Sequence, residues 1–193
     1  MNNSNKTYKK ILKTARNLVV KSPYHAISLN MIAQKSGVTK PSLYYYFQSK
    51  EDLFLKLFDE VSREFEKKLE GVLYRELPAN KKLHLFIETY INFFFTEKHL
   101  IRLLILRISK KDKKLCDKMR KTREDIVKKL EEIMEEILKQ DRRKDQISPR
   151  LASMMILGML GTFYVEHVEE RKEIKVSPRQ VADQIISFLG FDN

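Results

Sequence analysis

"ISLNMIAQKSGVTKPSLYYYFQSKEDLF", residues 27–54, decides the fold. Ser28 places a side-chain oxygen just before Leu29, Ile32 and Ala33, the pattern of an N-cap followed by one short buried helical face. Gly37 ends that helix, because glycine tolerates the left-handed conformation a helix C-terminus often needs. Thr39 caps a second short helix. Pro41 falls in its first turn, where a missing N–H costs nothing. Val38, Leu43 and Phe47 are its apolar anchors. Two short helices joined by three or four residues with a Gly form a helix-turn-helix. Ser49, with Asp52 at capping-box spacing, starts the next helix at once.

Three consecutive tyrosines, Tyr44 to Tyr46, place hydroxyls on several sides of the second short helix. In a helix-turn-helix this helix enters the major groove N-terminus first, with phosphates on either flank. Its leading residues are Thr39, Lys40, Pro41 and Ser42, all small, polar or basic. A phenol donates to a phosphate oxygen while its ring rests on the core, fixing register without reading sequence. Tyr44 and Tyr45 are therefore expected on the DNA backbone, Leu43 and Phe47 inside, and Tyr46 at the margin. Lys50 adds a charge beside helix N-terminal amides that already favour an anion.

The charge distribution agrees. The chain carries a net +12, yet residues 1–50 hold nine lysines and arginines and no Asp or Glu. The other 143 residues carry 29 basic against 26 acidic groups. A basic first quarter joined to a nearly balanced remainder implies a polyanion-binding module attached to something else. Charge alone fits a membrane surface as well as DNA.

Composition sets the remaining bounds. Hydrophobic residues are 42% of the 193, enough for a real core, and five Gly and five Pro leave little room for long loops. A single cysteine, Cys116, excludes an intrachain disulfide framework and fits a reducing compartment. The start, Met1 to Asn5, is polar and unlike a signal peptide. The longest uncharged run near the C-terminus, Leu151 to Val165, is 15 residues, and a spanning helix needs about 20. The expectation is a soluble cytoplasmic protein.

No segment shows period-2 alternation with turn pairs, so the expected fold is all-α, with about nine helices. Ile11, Leu12, Ala15, Leu18 and Val19 predict a first helix over about 7–20. A long helix is expected from Ser49 to about Tyr74, then helices at about 81–97, 99–109 and 112–139. Ser148-Pro149 opens a helix to about Arg171. Ser177-Pro178, with Gln180 at capping-box spacing, opens the last one. The uncharged helix at 149–171 is expected to be covered on nearly every side. A second copy is the economical cover, and Gly158 and Gly161 allow close approach. Homodimerisation is thus expected through about 149–171 and 178–189.

The segment 27–54 resembles the DNA-binding signature of the tetracycline-repressor (TetR) family of bacterial regulators. The likeness rests on Ile32-Ala33, Gly37-Val38, Leu43-Tyr44, Phe47 and Lys50-Glu51 in continuous spacing. It implies an N-terminal three-helix DNA-binding domain (1–50), a C-terminal helical effector-binding and dimerisation domain (51–193), and a homodimer. By position, Ser28, Thr39, Lys40, Pro41, Tyr44, Tyr45 and Lys50 match family positions that touch DNA. Tyr46 stands where many members have His, and Pro41 where Gly is common.

An effector site is harder to read. Phe86, Tyr90, Phe93, Phe94, Phe95, Phe163 and Tyr164 are core residues first. A buried site also needs a few polar groups to orient its ligand. The ligand-binding candidates are Phe86, Tyr90, Phe94, Met119, Thr122, Arg123, Phe163 and His167, around a hydrophobic or amphipathic small molecule. Arg102 and Arg107, within the apolar run 100–108, read as snorkelling surface residues. His84 and Glu88 have the i, i+4 spacing of a metal pair but no third ligand, so no metal is expected. Cys116 reads as an ordinary half-buried thiol. No nucleophile–base pair or phosphate loop stands at usable spacing, so no enzyme and no cofactor are expected. Two function classes remain: a ligand-responsive transcriptional regulator acting as a repressor on a palindromic operator, and an architectural or division-associated DNA-binding protein without an effector.

Overall fold

A computed structural model describes residues 3–103, 113–139, 146–166 and 176–191. Among them are nine α-helices and no strand. They run α1 (Asn3–Lys21), α2 (Leu29–Ser36), α3 (Lys40–Tyr46), α4 (Lys50–Leu73), α5 (Ala79–Thr96), α6 (Lys98–Leu103), α7 (Lys113–Leu138), α8 (Pro149–Tyr164) and α9 (Pro178–Leu189), with one 3-10 turn at Tyr24–Ala26.

The chain forms two compact units: Met1–Arg63 with His99–Asp117, and Glu64–Lys98 with Lys118–Asn193. In the first, Ile11, Leu12 and Ala15 of α1, Ile32 of α2, Leu43 of α3 and Leu53 and Phe54 of α4 are buried, together with Phe47 just after α3. Each buried Ile, Leu or Phe among them contributes about 1.5–3 kcal/mol by leaving water. In the second, Phe65 and Leu69 of α4 pack with Phe86 and Ile87 of α5, Leu130 and Met134 of α7, Ile156 and Leu160 of α8, and Ala182 of α9.

The helix starts follow the side-chain caps. Ser28, Thr39, Ser148 and Ser177 each accept a hydrogen bond from the backbone N–H three residues on. Ser177 and Gln180 form a reciprocal capping box. At α4, Ser49 accepts from the Asp52 amide at 3.0 Å, but the Asp52 carboxylate accepts from the Gln48 amide instead of from Ser49.

One expectation changes: α1 begins at Asn3, a full turn earlier than the apolar stripe indicates, because Asn3 to Lys6 contain no helix breaker. α8 is only partly covered within one chain, as expected of this uncharged helix. Ala152, Ser153, Ile156, Leu157, Leu160 and Tyr164 are buried, whereas Leu151, Met154, Met155, Gly158 and Val165 face solvent. The segments 104–112 and 167–175, on which the ends of two expected helices and Arg107 fall, lie outside the described residues.

Candidate nucleic-acid interface

The turn between α2 and α3 is built around Gly37. Its φ of 61° is left-handed, and its N–H reaches back to Ala33 and Gln34 carbonyls. A side chain there would be strained whatever the space. Ser36, fully buried, donates its hydroxyl to the Ile32 carbonyl at 2.6 Å, so its burial leaves no polar group stranded. Leu43 and Phe47 are wholly buried, which fixes the roll of α3 about its axis. The opposite side of α3 is thereby turned outward.

That outward side holds most of the residues chosen from the sequence. Thr39, Lys40, Pro41, Tyr44 and Tyr45 are exposed and Ser42 half-buried. Tyr45 is 81% exposed, its ring edge-on to Tyr46 at 5.0 Å. Lys40 lies 5.9 Å from the Tyr44 ring centroid. Ser28 is exposed at the start of α2, its oxygen engaged by the Met31 amide at 3.1 Å.

Lys50 is more engaged than its sequence position indicates. Its ammonium donates to the Tyr24 carbonyl and lies 3.6 Å from the centroid of that ring. Burial pushes its pKa down. The Tyr24 hydroxyl donates to Glu51 at 3.3 Å. Burial, and then the neighbouring carboxylate, pushes the Tyr24 pKa up. The Glu51 carboxyl is held below the usual range, first by a backbone N–H and then by the Ser49 and Tyr24 hydroxyls. Tyr24 gave no signal in the sequence, because its role depends on the 3-10 turn at Tyr24–Ala26 meeting α4.

Tyr46 is half-buried, at the margin of the domain. Its hydroxyl lies 3.0 Å from Ser4 Oγ in α1. Tyr8 stacks on Phe47 at 5.3 Å and stands edge-on to Tyr46 at 6.1 Å. Lys56 of α4 donates to the Tyr46 carbonyl at 2.8 Å and so caps the end of α3.

In the second unit, Tyr90 stacks on Phe94 at 4.3 Å, Phe94 meets Tyr164 edge-on at 5.2 Å, and Phe65 stacks on Phe93 at 4.0 Å. Burial raises the Tyr90 pKa, and the positive field of Arg123 opposes that rise. Phe86 is wholly buried. Met119 and Thr122 are half-buried and Arg123 exposed along α7. Phe163 pairs with Phe95 at 6.2 Å instead of joining Tyr90 and Phe94. His167 lies outside the described residues.

An open groove of about 710 Å³ runs between α5 and α9, lined among others by Leu77, His84, Leu85, Glu88, Asp183 and Phe191. None of the ligand candidates among the described residues lines it. His84 sits between two carboxylates there, 2.7 Å from Asp183 and 3.4 Å from Glu88. The His84–Asp183 contact ties α5 to α9, while Glu88 lies on α5 with His84, and no group of three metal-binding side chains occurs among the described residues. Cys116 is exposed, not half-buried as expected. No helix among the described residues is long and apolar enough to cross a membrane.

Comparison with known proteins agrees with this geometry. Residues 11–57 match the model for bacterial regulatory proteins of the tetR family, and residues 76–165 that for the tetracyclin repressor-like C-terminal domain. The fatty acid metabolism regulator protein of Bacillus subtilis is 26% identical over 153 residues, 79% of each chain. The solved structure of FadR from Bacillus subtilis with stearoyl-CoA superposes with a TM-score of 0.77 at 23% identity, covering 94% of this chain and 97% of that one. AibR, solved with isovaleryl coenzyme A and operator DNA, gives 0.69 at 19% identity, covering 94% and 97%. With a helix-turn-helix built as described, and two models of one family taking in most of its length, the chain belongs to the TetR family of bacterial transcriptional regulators.

Proposed function

We propose that this regulator is a homodimeric repressor of a palindromic operator, released by a fatty acyl thioester of coenzyme A. The observation that carries the DNA half is the outward face of α3, where Thr39, Lys40, Pro41, Ser42, Tyr44 and Tyr45 form one polar, acid-free surface over the buried Leu43 and Phe47. Thr39 to Ser42 lead into the major groove, Tyr44 and Tyr45 donate to phosphates, and Ser28 and Lys50 flank them.

The effector class rests on the relatives, FadR solved with stearoyl-CoA and AibR with isovaleryl-CoA. The aromatic series Phe65, Tyr90, Phe94 and Tyr164 supplies apolar surface suited to an acyl chain. A two-state equilibrium accounts for release. To lower operator occupancy 100-fold, the effector must prefer the non-binding state by about 2.7 kcal/mol. α4 belongs to the first unit up to Arg63 and to the second from Glu64, so it is the lever of this switch.

Selection of bound duplexes from a random library tests the DNA half, and a two-fold symmetric consensus is expected. Adding stearoyl-CoA to that complex is expected to release the DNA, with free coenzyme A inactive. An asymmetric consensus sinks the palindromic reading. A complex indifferent to acyl-CoA of any chain length sinks the effector class.

A further inference from the structure

The first turns of α1 meet the C-terminal end of the recognition helix at Tyr46 and Phe47, and Tyr45 stands edge-on to Tyr46 at 5.0 Å. At one end, Tyr46 Oη and Ser4 Oγ are 3.0 Å apart. Tyr8, one turn further along α1, fills the corner between Tyr46 and Phe47. Lys56 holds the same corner from behind through the Tyr46 carbonyl and the Phe47 ring, 5.2 Å from its ammonium. At the other end, the Lys10 ammonium lies over the turn, 3.4 Å from where a Cβ on Gly37 would be. Lys6 precedes Lys10 by four residues, so both lie on one face of α1, and both are exposed. No acid stands in the first 50 residues, and the acids that act on Tyr8 at this corner, Asp52, Asp59 and Glu60, come from α4.

We infer that Tyr46 is a positioning residue for DNA binding. Its hydroxyl holds the first turns of α1 against α3, so that Lys6 and Lys10 form a second row of phosphate contacts beside those of the recognition helix. The inference rests on the DNA-binding reading above. It also gives a physical reason for a tyrosine at this position. The phenol is long enough to reach across to α1, and its hydroxyl is engaged by Ser4.

The test counts charges on DNA. Each phosphate neutralised contributes about −0.9 to the slope of log affinity against log salt. Tyr46→Phe removes no charge, so if its hydroxyl merely donated to a phosphate, the slope would not change. If the hydroxyl is a strut, its removal frees the lysines from their place and makes the slope shallower. With the full-length protein and a mixed-sequence duplex, Tyr46→Phe and Ser4→Ala are each expected to weaken binding about 5-fold and flatten the slope by about 1. The double variant is expected to match either single one. Lys6→Gln, which weakens the wild type, is expected to have little further effect in the Tyr46→Phe background. An unchanged slope in Tyr46→Phe, a silent Ser4→Ala, or additive effects of Tyr46→Phe and Lys6→Gln each overturn the strut. In those cases the wild type still binds with a steep slope. Wild-type protein that does not bind duplex at all defeats the DNA-binding reading instead.

Discussion

Lys50 carries two duties that compete. Its ammonium is held by the Tyr24 carbonyl and ring, and burial lowers its pKa. The same charge stands at the start of α4, where a phosphate is expected. Lys50→Met therefore removes a cation–π contact and a capped carbonyl, and is expected to cost about 1–2 kcal/mol by urea denaturation. It should also weaken duplex binding. Tyr24→Leu separates the duties: stability is expected to fall while the salt slope of binding stays put. A Lys50→Met protein of wild-type stability contradicts this account. Glu51 adds a pH dependence. Its folded pKa is lowered, so its contribution to stability is complete above the unfolded value of about 4.3 and is lost as pH falls through the folded value. Glu51→Gln is expected to flatten the acid limb of a stability–pH curve slightly, since the side chain is exposed, and to leave the neutral region level.

Among the elements, those written in local chemistry are the ones legible in the sequence. Ser28, Thr39, Ser148 and Ser177 each cap the helix they precede, and Gly37 takes the left-handed conformation assigned to it. A cap needs only its own three following residues, so a single sequence contains the whole interaction. Ser177→Ala is accordingly expected to lower stability by about 1 kcal/mol in a denaturant titration. Adding Gln180→Ala should cost less than the sum of the two singles, because the two bonds of the box hold one turn. Full additivity would show two independent bonds instead. What stayed hidden depends on residues far apart in sequence. The fastening of α1 joins Ser4 to Tyr46, and the seat of Lys50 joins positions 24 and 50. Within the aromatic run 93–95, Phe93 faces Phe65, Phe94 faces Tyr90 and Phe95 faces Phe163. Helical periodicity marks all three as apolar but cannot say which neighbour each one meets. The groove lined by His84 and Asp183 joins residues 99 apart in sequence, whereas spacing alone makes its histidine look like half of a metal pair.

For the whole molecule, the exposed face of α8 is the feature a single chain leaves unexplained. Leu151, Met154, Met155 and Val165 lie on one stripe, each at least 44% exposed, and Phe188 of α9 is 79% exposed. A methyl group at Gly158 or Gly161 would meet nothing of the chain itself within 4 Å, so these glycines are not explained by packing inside the chain. A stable dimer covers about 800 Å² per partner, and two helices with such faces supply a surface of that kind. Met155→Glu places a charge where a second copy would bury it, and an unpaired buried charge is strongly destabilising to an interface. Because Met155 faces solvent in the single chain, the substitution should leave helicity by circular dichroism unchanged. Sedimentation is expected to shift from dimer to monomer, and affinity for a full palindrome to fall by more than about tenfold, since the second half-site no longer binds in the same event. Affinity for an isolated half-site should change little. A Met155→Glu protein that remains dimeric would place the interface elsewhere. One that becomes monomeric yet keeps full palindrome affinity would remove the reason for the operator to be symmetric.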